Sequence, residues 1–355
     1  KADAAKQKSA IAAAQKKMQS ATKSLAAAEK KLKTESDSYT SLSPIYPSQS
    51  TGRRKALAEW IASNNNPLTA RVAVNHIWMR HFGRPLVESV FDFGRSGKKP
   101  THPQLLDWLA DELIKSGWSM KHLHRLIVTS NTFRLASAID DDVQSNLAVD
   151  SDNRYWWRFE RRRLEAEAIR DSVLYASGQL DLTLGGPELE NNQGATSSRR
   201  SLYYVLYPTA GGTMKFMELF NPPNPADCYR RRESIVPQQA LGMVNGNITQ
   251  NQARLLARKL SKTIAASQPD PAMQETEFIN QSYEQILTRS PSTKEFEMCR
   301  EFLQKQIQLF QKTDPKQYQA TVVKGVTPAS TDPIMRSRES LVRVLFNHHD
   351  FVTIP

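Results

Sequence analysis

The sequence lacks most of the short patterns that identify a redox, metal-binding or membrane protein. Its 355 residues include only two cysteines, Cys228 and Cys299, with no CxxC, no CxxCH haem attachment motif and no zinc-ligand spacing. No stretch approaches the ~20 apolar residues that a membrane span needs, and the first ten residues carry no signal-peptide core. We therefore expect no membrane span, no signal peptide, no metal site and no cofactor in this chain.

Nucleotide chemistry and serine hydrolysis also lack their usual signatures. The sequence has no P-loop, no dinucleotide fingerprint and no GxSxG motif. The net charge is +12, but nine of the lysines fall within residues 1–33. The rest of the chain is only mildly basic, so nucleic acid is a disfavoured partner.

The lysine-rich segment has a seven-residue repeat. Large apolar residues occupy one heptad position and alanines the position three residues later: Ile11, Met18, Leu25 and Leu32, with Ala14, Ala21 and Ala28. This pattern predicts a basic heptad helix over residues 1–35 whose seam needs a partner helix. The partner is either an upstream helix, giving a hairpin, or a second copy, giving a coiled coil. Residues 36–52, rich in Ser, Thr and Pro, are predicted to be a linker.

Apolar residues then recur with a helical period, and the segments begin and end at recognisable capping residues. Asn66 and Ser119 are predicted to cap helices, and Gly83 is predicted to end one. We expect a mainly α multi-helix fold with at most a small β element. The core is predicted over residues 53–268, with a short strand near 201–207, and a C-terminal helical subdomain over 269–355.

Two features offer catalytic chemistry. Glu167 and Asp171 are four residues apart on one helix, beside Arg163 and other arginines, so they form either an acid/base pair or a salt-bridge ladder. The ladder is favoured. Cys228 precedes three arginines that would activate it as a nucleophile, although a packed thiol is the favoured reading. These three residues are the catalytic candidates, and whether the domain is an enzyme stays open.

The segment VNHIWMRHFG, residues 74–83, concentrates the polar candidates for ligand binding. His76 and His81 are five residues apart and project about 140° apart on a helix, which excludes a metal site built from this pair alone. We expect them and Arg80 to form buried hydrogen bonds. Arg163 and Arg231 belong to arginine clusters that either pair with acids of this chain or bind an anionic ligand, such as a sulfated or uronic polysaccharide.

Four segments together resemble a known family. They are TGRRKALAEWIASNNNPLTARVAVNHIWMRHFGRPLVESVFDFGRSGKKPTHPQLLDWLADELIKSGWSMKHLHRLIVTSNTFRLAS, DNRYWWRFERRRLEAEAIRDSVLYASGQLD, MELFNPPNPADCYRRRESIVPQQAL and LVRVLFNHHDFVTI. They are similar to the C-terminal planctomycete-specific domain one, domain-of-unknown-function family fifteen-fifty-three. The resemblance covers about residues 50–355.

The resemblance implies a large exported protein, extracytoplasmic in location, with haem c in an upstream domain or a partner. It implies protein partners: a c-type cytochrome or another domain of the same parent protein. It supplies no reaction and no catalytic residues. Our expectation is a non-catalytic interaction or scaffold domain of an exported, cytochrome-associated complex, linked to electron transfer or polysaccharide use. The alternative is an enzyme or binding module for an anionic polysaccharide.

Overall fold

The computed structural model describes residues 2–34, 49–137, 144–207, 211–225, 231, 234–314 and 326–354. The expected mainly α fold is confirmed, with one two-stranded sheet in the described part of the chain. The helices are α1 (Ala2–Leu32), α2 (Arg53–Ile61), α3 (Thr69–Phe82), α4 (Pro103–Lys115), α5 (Met120–Val128), α6 (Gln144–Val149) and α7 (Ala166–Ala176). They continue as α8 (Lys215–Glu218), α9 (Pro237–Asn245), α10 (Asn247–Ser267), α11 (Pro271–Leu287), α12 (Thr293–Lys312), α13 (Pro333–Phe346) and α14 (His349–Val352). The strands are β1 (Arg162–Arg163) and β2 (Thr353–Ile354).

The chain divides into two compact units, Lys1–Ser63 and Asn64–Pro355. The first unit contains α1 and α2. The heptad residues of α1 are exposed, from 52% at Ile11 to 88% at Leu32. Of the predicted linker, residues 36–48 lie outside the described part. No helix in the described residues has the length and apolar composition needed to cross a bilayer.

The second unit begins with a cluster of three helices. The Asn66 side chain accepts hydrogen bonds from the backbone N–H groups of Leu68 and Thr69, and therefore caps α3. Gly83 ends α3 with φ = 78°, a left-handed conformation that glycine adopts without strain. Ser119 caps α5. The apolar faces of α3, α4 and α5 form the first core, which includes Val74, Trp78, Phe82, Leu86, Leu106, Leu109, Leu113, Leu123, Ile127 and Phe159.

A larger second core lies among α7, α10, α11, α12 and α13. Its buried residues run from Ala166 to Val352, so the cluster continues across the expected boundary between residues 268 and 269. The longest helix of this unit, α10, packs along α13, and α12 packs on α13 as well. The helices α11 to α14 therefore share one apolar interior with the helices that precede them.

The two-stranded sheet links distant parts of the second unit. β1 and β2 are antiparallel, with Arg162 opposite Ile354 and Arg163 opposite Thr353. Arg162 and Arg163 lie between the two cores in sequence. The pairing therefore holds this connecting segment against the end of the second core.

The prediction of a strand near residues 201–207 is wrong. Ser201–Tyr203 forms a 3-10 turn, and only an isolated bridge joins Tyr204 to Leu189. The reason is local: the Asp171 carboxylate accepts hydrogen bonds from the backbone N–H of Ser201, at 2.9 Å, and from its hydroxyl, at 2.7 Å. A side chain of α7 thus takes the backbone donor that a neighbouring strand would otherwise bind.

Arg170 of α7 is completely buried and organises the same loop. Its guanidinium donates to the carbonyl oxygens of Arg199, Gly194 and Ser197 at 2.9, 3.1 and 2.7 Å. It also lies 5.0 Å from the centre of the Tyr204 ring. Burial lowers the pKa of Arg170, and the nearby Tyr204 and Asp171 oppose that shift. The loop therefore closes on one charged side chain, because that side chain satisfies its carbonyl groups.

We expect Arg170→Met to lower the free energy of unfolding by roughly 3 kcal/mol or more, since three carbonyl groups that are buried or partly buried lose their donor. Urea denaturation followed by circular dichroism measures the change. The matched control is Arg71→Met, which removes a partly exposed arginine paired with Asp107 at 2.6 Å. We expect that control to stay within about 1 kcal/mol of the unaltered protein. Equal losses in the two variants would contradict the role assigned to Arg170.

Candidate functional site: an arginine-lined cleft

A cleft of about 990 Å³ lies between the two cores of the second unit. Of the described residues, one that is acidic, Glu165, and five arginines line it. The arginines are Arg80, Arg84, Arg162, Arg163 and Arg231. They come from the end of α3, from β1 and from the segment before α9. Arginine side chains suit carboxylate, sulfate and phosphate groups because the planar guanidinium offers several donors in a fixed geometry. The cleft is therefore shaped and charged for an anion.

The turn after α3 positions the first two arginines. The buried Asn75 side chain bonds both backbone groups of Val87, accepting from its N–H at 2.8 Å and donating to its carbonyl at 3.0 Å. This pair of bonds folds the chain after Gly83 back onto α3, with Arg80 before the turn and Arg84 after it. The turn thus presents two guanidinium groups from one short stretch of sequence.

The strand β1 brings the next two arginines to the same place. The Arg162 guanidinium donates to the backbone carbonyl of Arg80 at 2.6 Å, and its aliphatic stem lies beside Gly83. A Cβ at Gly83 would lie 3.4 Å from Cδ of Arg162, so glycine permits this approach as well as the left-handed turn. β1 is itself fixed by its pairing with β2.

Apolar side chains form the floor of the cleft. Met79 and Phe220 are buried there, while Phe91 is 60% exposed at the rim. The Arg163 guanidinium lies 5.9 Å from the centre of the Phe220 ring, within reach of a cation–π contact. The cleft therefore combines an apolar floor with cationic walls.

Three of the cleft arginines have carboxylate partners, but Arg163 has none in the described part of the chain. Arg80 contacts Glu165 at 3.3 Å, and Arg84 contacts Glu160 at 3.4 Å. No carboxylate pairs with Arg163 among the described residues, and burial lowers its pKa with no acidic group opposing the shift. An arginine remains protonated in this setting, because its ordinary pKa lies so far above neutrality. The positive charge of Arg163 is therefore not compensated by a described carboxylate.

Arg231 also lines the cleft and connects it to α7. Its guanidinium donates to Glu167 at 2.6 Å and lies 3.6 Å from Glu165. The predicted candidate Glu167 therefore lies behind the cleft wall. Asp171, the other carboxylate of the predicted pair, bonds Ser201 instead and does not line the cleft.

The remaining predicted candidates are placed elsewhere. Cys228 lies outside the described residues, and Cys299 is a buried free thiol. Neither His76 nor His81 lines the cleft, whereas their helix neighbour Arg80 does. Sequence reasoning did not single out Arg84 or Phe91; the only local signal for Arg84 was the helix stop at Gly83 before it.

His81 instead meets a histidine of another helix. Its Nε2 lies 2.7 Å from Nδ1 of His124 on α5, and its ring also packs edge-on against Phe133. One ring must donate and the other accept, so the bond cannot form when both rings are protonated. Burial, His124 and Arg162 together lower the pKa of His81. Within the described residues, no group of three or more histidine, cysteine or acidic side chains is arranged to hold a metal ion.

We expect the protein to lose stability on acidification, in part through His81. A pKa lowered from 6.5 means that the unfolded chain binds the proton more readily, so stability is full above pH 6.5 and falls as the pH drops through the folded-state pKa. Urea titrations at several pH values between 7.5 and 5 measure this slope. His81→Asn should flatten it, while His349→Asn, at an exposed histidine, should keep it. Identical slopes in all three proteins would contradict the assignment.

The chain was also compared with known proteins. One family model, described as "PSD1: Protein of unknown function (DUF1553)", matches residues 53–303, which is more than half of the chain. No curated protein and no solved structure matches the chain.

Proposed function

Because the chain belongs to PSD1, a family of proteins of unknown function (DUF1553), we propose its function from the geometry of the cleft. The domain is a binding module that holds an anionic ligand, such as a sulfated or uronic polysaccharide, among its arginines. The observation that carries this proposal is Arg163, a half-buried cation on the cleft wall with no carboxylate partner in the described part of the chain.

The energetics of Arg163 favour an external anion. A buried charge is costly unless it is paired and hydrogen-bonded. Nε of Arg163 and one Nη of Arg231 are buried, and neither has a hydrogen-bond partner among the described residues. An anionic group placed between these side chains would accept from both and offset the cost of their burial. Intramolecular pairing, the other interpretation of the arginine clusters, accounts for Arg231, which pairs with Glu167, but no described carboxylate pairs with Arg163.

The carboxylates near the cleft favour binding over catalysis. A general acid or base must exchange a proton with the reacting group and lie within hydrogen-bond reach of it. Glu167 is engaged in an ion pair with Arg231 behind the wall, and Glu165 contacts both Arg80 and Arg231. Both carboxylates are thus engaged in ion pairs with arginines instead of being available for proton transfer. The cleft is therefore better suited to bind an anion than to catalyse its conversion.

We expect Arg163→Met to weaken binding of a heparin oligosaccharide, which carries sulfate, carboxylate and hydroxyl groups. Loss of hydrogen bonds to a charged group is worth about 1.5–3 kcal/mol, or roughly a 10- to 100-fold increase in Kd. Isothermal titration calorimetry at low salt measures it. The control is Arg71→Met, because Arg71 is an arginine outside the cleft. If both variants bind like the unaltered protein, or lose affinity equally, the cleft is not the binding site.

We propose that the domain has a second role, in which α1 is the surface through which it joins an assembly. Its heptad residues are exposed along the helix, and an apolar seam of this kind is stabilised by a partner helix. From the family resemblance, the assembly is exported, planctomycete-specific and extracytoplasmic, and it includes a c-type cytochrome as a partner or as another domain of the parent protein. In this role the domain is a scaffold, and any haem c is bound elsewhere.

We expect the protein isolated natively to carry c-type haem through such a partner. A visible absorption spectrum of the purified assembly, with identification of its chains, measures this directly. Leu25→Lys, placed in the exposed seam, should remove the haem-containing partner because a charge cannot be buried there at low cost. Ala26→Lys, one residue away and outside the seam, is the matched control. A native preparation without haem bands, or equal retention by both variants, would contradict this role.

A further inference from the structure

Three uncharged polar residues, Asn221, Ser234 and Gln239, also line the cleft. The amide of Asn221 donates to the Ser234 hydroxyl at 2.7 Å, and that of Gln239 donates to the Ser234 carbonyl at 3.1 Å. The three side chains are therefore linked by hydrogen bonds, and the Gln239 amide oxygen takes no part in this group.

Gln239 shows what kind of partner is required. Its side chain is almost fully buried, with 1% of the residue exposed, and Oε1 has no hydrogen-bond partner in the described part of the chain. The Ser234 carbonyl can accept but cannot donate, so the Gln239 amide nitrogen faces it and the remaining amide atom, Oε1, is an acceptor. A buried acceptor without a donor costs roughly 1–3 kcal/mol. A ligand that donates a hydrogen bond here would offset this cost.

A sulfate ion cannot do so, because its four oxygens only accept, which suits Arg163 and Arg231 but leaves Gln239 unmatched. Hydrogen phosphate carries one O–H donor but no ring. The volume of about 990 Å³ is also at the upper end of the ~300–1,000 Å³ typical of sites for whole organic ligands. The floor, with Phe220 buried and Phe91 exposed at the rim, offers an apolar face on which a ring can pack.

From these three features we infer that the ligand unit is a hydroxylated acid of the sugar-acid type, in which one ring carries an anionic group and free hydroxyls. The anionic group lies against Arg163, a hydroxyl donates to Gln239, and the ring packs over Phe220. The inference rests on the proposed anion-binding function and narrows its ligand class. It distinguishes this ligand from acidic polymers that have no hydroxyl groups.

The test compares two oligomers of equal charge number, oligogalacturonate and oligoglutamate, by isothermal titration calorimetry with the whole protein. Both carry carboxylates, but only the first carries ring hydroxyls. A site that bonds a hydroxyl discriminates against an analogue lacking one, so we expect at least about tenfold tighter binding of oligogalacturonate. Gln239→Met should bring the ratio of the two dissociation constants toward one. Arg71→Met should leave the ratio and both affinities unchanged.

The outcomes separate this inference from the function on which it rests. Equal affinities for the two oligomers would overturn the sugar-acid assignment and leave the anion-binding function in place. Binding of neither oligomer, nor of heparin, would overturn both. The preference is measured on the unaltered protein, so a Gln239 variant that fails to fold does not remove the test.

Discussion

The helix α7, whose Ala168 lines the cleft, is tied to the loop that follows it by one buried charge, the guanidinium of Arg170. That guanidinium satisfies carbonyl groups of the loop and so fixes the loop to the helix. The same helix carries Glu167 in its first turn, and Glu167 pairs with Arg231 on the cleft wall. One helix thus carries both a buried cation and the carboxylate that pairs with a cation of the cleft. The desolvation of Arg170 is tolerated because several acceptors surround it.

The cleft lies where the two apolar cores meet. Met79 and Arg80 come from α3, which packs in the first core, whereas Phe220 belongs to the second. The short pairing of β1 with β2 fastens the connecting segment at this junction. Ligand sites are often found where structural layers meet, because neither layer covers the surface there. The arginines that we propose to bind the ligand accordingly lie at the boundary between the two cores.

The helices could be predicted from the sequence because their determinants are local. Asn66, Gly83 and Ser119 act within a few residues of where they stand. The cleft depends on contacts across long stretches of chain, such as the bond between Arg162 and the Arg80 carbonyl, which no periodicity reveals. The strand near 201–207 was mispredicted for a related reason. Its β-forming residues are overruled by hydrogen bonds from α7, a tertiary effect that outweighs local propensity.

The basic side chains that line the cleft, as far as the structure describes its residues, are five arginines and no lysine. Arginine keeps its charge throughout the range in which proteins are folded, even where burial lowers its pKa, as at Arg163. The wall therefore presents a constant charge, and the histidines that respond to acid lie outside it. Besides the carboxylate of Glu165, the group at the cleft whose charge changes with pH is the bound molecule: a carboxylic acid would lose affinity near its own pKa, whereas a sulfate ester would not. Because the arginines offer the same charge to both kinds of ligand, the pH dependence of the affinity distinguishes a carboxylate ligand from a sulfate ester.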